Sequence, residues 1–132
     1  MKTPVFLDTN FLLMPYKENI DIFEEIDRLF SSSYSYEIVT ISSVKKELEN
    51  LSVKEKGTDR IGANVGLGLL EKKNIKVIEG ISGLSADKDL LEYAEKNKDI
   101  IVCTNDKPLK QELRKKGIRL ITMRSRTHLE FV

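Results

Sequence analysis

The chain has 132 residues, 40% of them apolar and 33% charged, with 22 basic and 21 acidic side chains and a net charge of +1. That length suits one domain over residues 1–132 around one hydrophobic core, and no run approaches the ~20 apolar residues of a membrane span. With one cysteine, Cys103, and one histidine, the chain can form neither an internal disulfide nor a Cys/His zinc site, so any bound metal would be held by oxygen.

Val5 to Asp8 reads as a first strand. Asp8 interrupts the apolar run of Val5, Phe6 and Leu7, so no secretory leader is expected and the cytoplasm is the expected compartment. Ile20 to Phe30 carries Ile22, Phe23, Ile26, Leu29 and Phe30 at helical spacing. Tyr36 to Ile41 is a β-rich run, and Ser42 or Ser43 can cap a helix reaching about Ser52. Glu55 to Asp59 reads as a loop, followed by a helix from Asp59 to Lys73 whose Gly62, Gly66 and Gly68 either weaken it or permit a close contact.

Ile75 to Ile78 is a short strand, residues 79–85 a loop and Asp87 to Asn97 a helix with Leu90, Leu91 and Ala94 facing inward. Asp99 to Thr104 is a buried strand. The following helix has Pro108 in its first turn and Gly117 past its end, and Ile118 to Met123 is the last strand. The alternation predicts an α/β domain, with a central, mostly parallel five-stranded sheet flanked by helices on both faces. Sites in such sheets lie beyond the carboxyl ends of the strands.

Four acids fall at that edge. Asp8 ends the first strand and Asp106 follows the fourth by two residues. Glu47 shares a helix face with Val44, Leu48 and Leu51, and Asp87 begins the inward face that continues through Leu91 and Ala94. Asp89, two positions on, should point away. Each has an ordinary alternative role: N-cap for the three aspartates, a structural ion pair for Glu47. Taken together, like charges crowded at one sheet end oppose folding unless a cation relieves them. Carboxylates and water suit Mg²⁺ or Mn²⁺, and two such ions can activate a water and stabilise the leaving oxygen of a phosphodiester.

The near-neutral total hides an asymmetry. Residues 1–50 carry nine acids and five bases, whereas residues 107–126 carry eight bases against Glu112 alone. Such a basic segment is either a solvated helix face or a surface for a polyanion.

With "LDTNFLL", Glu47 in "KKELE", "ADKDLLEYA" and "VCTNDKPLKQELRKKGI" in place, the chain resembles the PIN domain ribonucleases from Val5 to about Arg124. The segment 47–73 is most similar to the archaeal branch related to eukaryotic rRNA-processing PIN nucleases, with the VapC toxins more distant. The resemblance implies Mg²⁺- or Mn²⁺-dependent hydrolysis of single-stranded or locally unpaired RNA. It places Asp8, Glu47 and Asp106 at the family's acidic positions and the fourth acid at Asp87, with Asp89 in reserve because Lys88 stands where many relatives have a second acid.

Asn10 and Thr104 match polar positions that support the acidic cluster. Lys107, Lys110 and Arg114, extended by Arg124 and Arg126, would contact phosphates. Tyr34 and Tyr36 are either packing residues or platforms for a base. Cys103 is expected in the core, and His128, in the C-terminal tail, is given no chemistry. Family members often dimerise, and a pre-ribosomal or an antitoxin partner is implied by one branch or the other. The competing readings are a non-catalytic RNA-binding or ribosome-assembly module and a toxin ribonuclease. A receiver-like phosphoacceptor would need paired acids after the first strand, where Thr9 and Asn10 stand.

Overall fold

The computed structural model describes residues 2–31, 35–54 and 56–132. The chain order is β1 (Thr3–Leu7), α1 (Thr9–Lys17), α2 (Ile22–Phe30), β2 (Tyr36–Ile41), α3 (Ser42–Ser52), α4 (Thr58–Lys72), β3 (Lys76–Ile78), α5 (Ala86–Lys96), β4 (Ile101–Cys103), α6 (Lys107–Lys115), β5 (Arg119–Arg124) and β6 (His128–Phe131). The strands lie side by side as β3-β2-β1-β4-β5-β6, with all pairs parallel except β5 with β6. The five expected strands form the parallel part of this sheet, and the sixth is an antiparallel addition.

The sheet is buried because β1 and β4 are apolar on both faces. Val5, Phe6, Leu7, Ile101, Val102 and Cys103 are all fully buried, as expected for strands covered by helices on either side. The register sets Leu7 opposite Cys103, which brings Asp8 level with Thr104 at the carboxyl edge. The buried Thr40 hydroxyl donates to the Leu7 carbonyl at 2.7 Å and fixes the exit of β1. β1 is also where the strand order reverses, since the chain moves outward to β2 and β3 on one side and to β4 and β5 on the other.

Three features depart from the sequence reading. Helix α1 was not expected, because Phe11, Leu12, Leu13 and Met14 are all buried and Pro15 lies inside the helix. Four consecutive buried residues show no 3.6-residue alternation, and an internal Pro argues against a helix. Helix α3 has Ile41 as its N-cap with no side-chain cap; β2 runs straight into it, and the Ser42 hydroxyl instead accepts the Gly80 N–H at 2.9 Å. Strand β6 follows a turn in which Ser125 and Arg126 have φ of 54° and 58°, so the usual Gly or Asn signal of a hairpin is missing. His128 therefore belongs to a strand rather than to a loose tail.

Helix α4 packs across α1 at the glycines. A Cβ on Gly66 would stand 2.7 Å from the Leu12 carbonyl oxygen, and one on Gly62 would stand 3.4 Å from Leu13, whereas Gly68 faces open space. The close-contact reading therefore holds for Gly62 and Gly66. At the far margin of the sheet, Arg28 of α2 donates to the Leu129 carbonyl at 2.9 Å and the Leu129 N–H donates to Glu25 at 2.9 Å. Glu25 and Arg28 are themselves paired at 3.0 Å, and that pairing holds the Glu25 carboxyl below the usual range.

Candidate active site

A cleft of about 400 Å³ opens beyond the carboxyl ends of β1 and β4, lined by Asp8, Thr9, Asn10, Glu47, Ser85, Asp87 and Asp106 among others. Each acid reaches it by a different local route. Asp8 leaves β1 and caps α1, its Oδ1 accepting the Phe11 N–H at 2.9 Å. Asp106 leaves β4 and caps α6, its Oδ1 accepting the Leu109 N–H at 2.8 Å. The capping role anticipated as an alternative is thus real for both, and it occupies one oxygen of each carboxylate.

Thr104 bears on both acids. It is fully buried, accepts the Asp106 N–H at 3.0 Å, and its hydroxyl lies near enough to Asp8 to favour the charged form of that carboxyl. Glu47 is held by two donors from elsewhere in the chain. The Thr9 hydroxyl donates to Oε1 at 2.7 Å and the Ala86 N–H to Oε2 at 3.0 Å. Among the described residues no Lys or Arg pairs with Glu47. Ser85, not Asp87, caps α5 by accepting the Lys88 N–H at 3.2 Å. That leaves the Asp87 carboxylate at the cleft.

The electrostatics record the crowding. Burial pushes the Asp8 carboxyl up to about 7; the Thr104 hydroxyl and the Phe11 N–H oppose this, while the charges of Asp87 and Asp106 add to it. Asp87 is also raised, first by partial desolvation and then by Asp106 and Glu47. A hard divalent cation would relieve both, and the donors are all oxygen. Among the described residues no three such side chains are gathered tightly enough to hold an ion alone. The donor set present, carboxylates alone, is of the kind a hard divalent cation takes.

Several expectations are corrected by the geometry. Asp89 does not point away into solvent: it is fully buried, its Oδ1 accepting the Gly83 N–H at 3.0 Å and sharing the Ser82 hydroxyl with Glu92. Asn10 lines the cleft but is exposed and, among the described residues, hydrogen-bonds to none of the acids; Thr9, beside it, donates to Glu47 instead. Tyr36 stacks on Phe30 with centroids 4.5 Å apart and donates to Asp27 at 2.9 Å, so its ring is packed internally. Tyr34 lies outside the described residues. Cys103 is buried in the core, and burial pushes its thiol well up.

Asp59, not singled out from sequence, lines the cleft and pairs with Lys17 at 2.7 Å. Of the basic residues, Lys107 and Arg114 are exposed on α6, and Lys110 is half-buried with Nζ 3.5 Å from the Thr122 hydroxyl. Arg124 pairs with Glu130 at 2.9 Å and Arg126 with Glu18 at 3.8 Å, which offsets part of their charge.

The sequence model of the PIN like domain family matches residues 5–126. The chain belongs to the PIN-like domain family. This PIN-like domain is 36% identical over 125 residues to ribonuclease VapC4 of Methanocaldococcus jannaschii, covering 93% of the chain and 92% of that protein. It is 36% identical over 112 residues to ribonuclease VapC9 of Archaeoglobus fulgidus, covering 85% of the chain and 76% of that protein. It is 31% identical to the rRNA-processing protein fcf1 of Schizosaccharomyces pombe, covering 90% of the chain and 58% of that protein. Among solved structures, that of the PIN domain endonuclease Utp24 superposes with a TM-score of 0.77 at 25% identity, over 97% of this chain and 90% of that one.

Proposed function

We propose that this PIN-like domain is an endoribonuclease that hydrolyses single-stranded or locally unpaired RNA with Mg²⁺ or Mn²⁺. The observation that carries the reading is the convergence of Asp8, Glu47, Asp87 and Asp106 on one cleft at the strand-order reversal, with the Asp8 carboxyl pushed up to about 7 by burial. The ribonuclease names of the two archaeal relatives support it. Asp8 and Asp106 would hold the ion, each with one oxygen left over from helix capping, and Asp87 and Glu47 would complete its surroundings. When bound, the ion supplies charge stabilisation at the phosphodiester and an activated water.

The chain's own residues do the rest. Thr104 fixes the Asp106 turn by accepting its N–H, and its hydroxyl favours the charged form of Asp8. Thr9 and the Ala86 amide keep Glu47 turned toward the cleft. Without a cation, the buried Asp8 carboxyl retains a proton close to neutrality, which lowers the repulsion among the four acids. Lys107, Lys110 and Arg114 lead away from the Asp106 turn and would hold phosphates without reading sequence.

A toxin reading within the same chemistry is favoured by one observation. The chain is 36% identical to the VapC4 and VapC9 relatives and 31% identical to the fcf1 relative. On that reading an antitoxin is the partner; on the other, the substrate is ribosomal RNA. Among the described residues no helix is long and apolar enough to cross a membrane, and our reading places the protein in the cytoplasm. The test is cleavage of a labelled, partly single-stranded RNA with Mn²⁺, Mg²⁺ or chelator by wild type, Asp8→Asn and Asp106→Asn, each checked for folding. Metal-dependent cutting that falls to background in both variants is expected. Folded wild type that retains RNA and never cuts would replace the nuclease with an RNA-binding module.

A further inference from the structure

The loop of residues 79–85 runs into the cleft at Ser85, and it is not held by burying its apolar side chains. Ile81 is 54% exposed and Leu84 72%. What holds it is Asp89, in the first turn of α5, which is fully buried. Its Oδ1 accepts from the Ser82 N–H at 3.3 Å and the Gly83 N–H at 3.0 Å, and it shares the Ser82 hydroxyl, at 3.0 Å, with Glu92 Oε1 at 2.7 Å. Its Oδ2 is buried against Gly80, where an added Cβ would come within 2.2 Å of that oxygen, so only hydrogen fits there. The Gly80 N–H in turn donates to Ser42 at the start of α3.

A buried carboxylate is costly unless several donors surround it. Here every donor reaches Oδ1, while Oδ2 is buried with no hydrogen-bond partner among the described residues. The loop is thus tied to α5 through Asp89 Oδ1 and to α3 through Ser42. Two residues earlier on α5, Asp87 enters the cleft, and three residues earlier the Ala86 N–H donates to Glu47.

The geometry points to Asp89 as a positioning residue: it clamps the 79–85 loop and thereby keeps the Ala86 amide on Glu47 and the Asp87 carboxylate over the cleft. Asp89 touches neither substrate nor metal. Its consequence for catalysis rests on the nuclease reading; the clamp itself does not.

The test combines hydrogen exchange of the metal-free protein with Mn²⁺ titration calorimetry on wild type, Asp89→Ala, Asp89→Asn and Gly80→Ala. Asp89→Ala should speed exchange across residues 79–87, the Ala86 amide included, by about tenfold, with β1 and β4 amides unchanged. Its Mn²⁺ affinity should fall about tenfold, the range seen for groups that orient metal ligands. Asp89→Asn keeps the acceptor oxygen and the shape, and should restore most of both. Gly80→Ala displaces the same carboxylate from outside and should reproduce Asp89→Ala, which also covers an Ala variant that does not fold.

Unchanged local exchange in both Asp89→Ala and Gly80→Ala, or a rise spread evenly over the core, overturns the clamp. Equal loss of Mn²⁺ affinity in the Ala and Asn variants also overturns it and makes Asp89 a ligand. If local exchange responds as expected but wild type binds no Mn²⁺, the clamp stands and the metal-dependent nuclease reading fails.

Discussion

The Asp8 carboxyl has an ordinary value near 3.8 and a value of about 7 in the folded chain, chiefly from burial. Between those two pH values the unfolded chain releases the proton while the folded chain keeps it. The folded state therefore loses stability as pH rises from about 4 to about 7 and loses no more from this group above that. The raised Asp87 acts in the same direction. In chelator, the melting temperature should be lower at pH 7.5 than at pH 5, a difference of a few kcal/mol in stability. Mn²⁺ should recover it at pH 7.5 and do little at pH 5. A flat profile in chelator would contradict the burial of Asp8 as a charged group. Such a site residue was legible because a carboxylate in an apolar run has few reasons to be there. Thr9 and Asp89 were not legible: one supports Glu47 across 38 positions of sequence, and the other looked like a solvent-facing residue until the 79–85 loop folded over it.

Helix α1 lies against α4 so closely that the glycines decide the contact. Gly66→Ala puts a methyl 2.7 Å from the Leu12 carbonyl oxygen, a backbone atom that cannot move alone. It should destabilise the protein by about 1–3 kcal/mol, as overpacking does. Gly68→Ala, in the same helix with nothing within 4 Å, should stabilise it by about 0.5–1 kcal/mol. Denaturant melts of the two variants should therefore move in opposite directions, and a common direction would mean that helix propensity, not contact, governs α4. The contact was foreseeable from glycine spacing, yet its partner was not, because α1 carries no amphipathic signature. Where one face meets water, as in α2 and α6, the sequence pattern places the helix to within two residues at either end. Where buried residues run consecutively, as in α1, or a turn uses Ser125 and Arg126, the pattern has nothing to show.

Across the whole molecule, charge is sorted by region, with acids at the cleft and bases along α6. If RNA phosphates lie on Lys107, Lys110 and Arg114, binding should weaken linearly with log salt. Replacing any one of these by Ala should then reduce the slope by roughly 0.7 for a single strand. Arg126→Ala should change it less, because Glu18 already offsets that charge at 3.8 Å. Filter binding of a catalytically silent Asp8→Asn chain over a salt series measures this; equal slopes for all variants would remove α6 from the RNA path.

The grip of Glu25 and Arg28 on the backbone of Leu129 has a bearing on solubility. An outermost strand ordinarily offers its free amides and carbonyls to any extended peptide that drifts past, which is how sheets recruit strangers and grow into fibrils. Here two of those valences are already stoppered by a charged pair from a neighbouring helix. A newcomer would have to evict both side chains before its first rung could form.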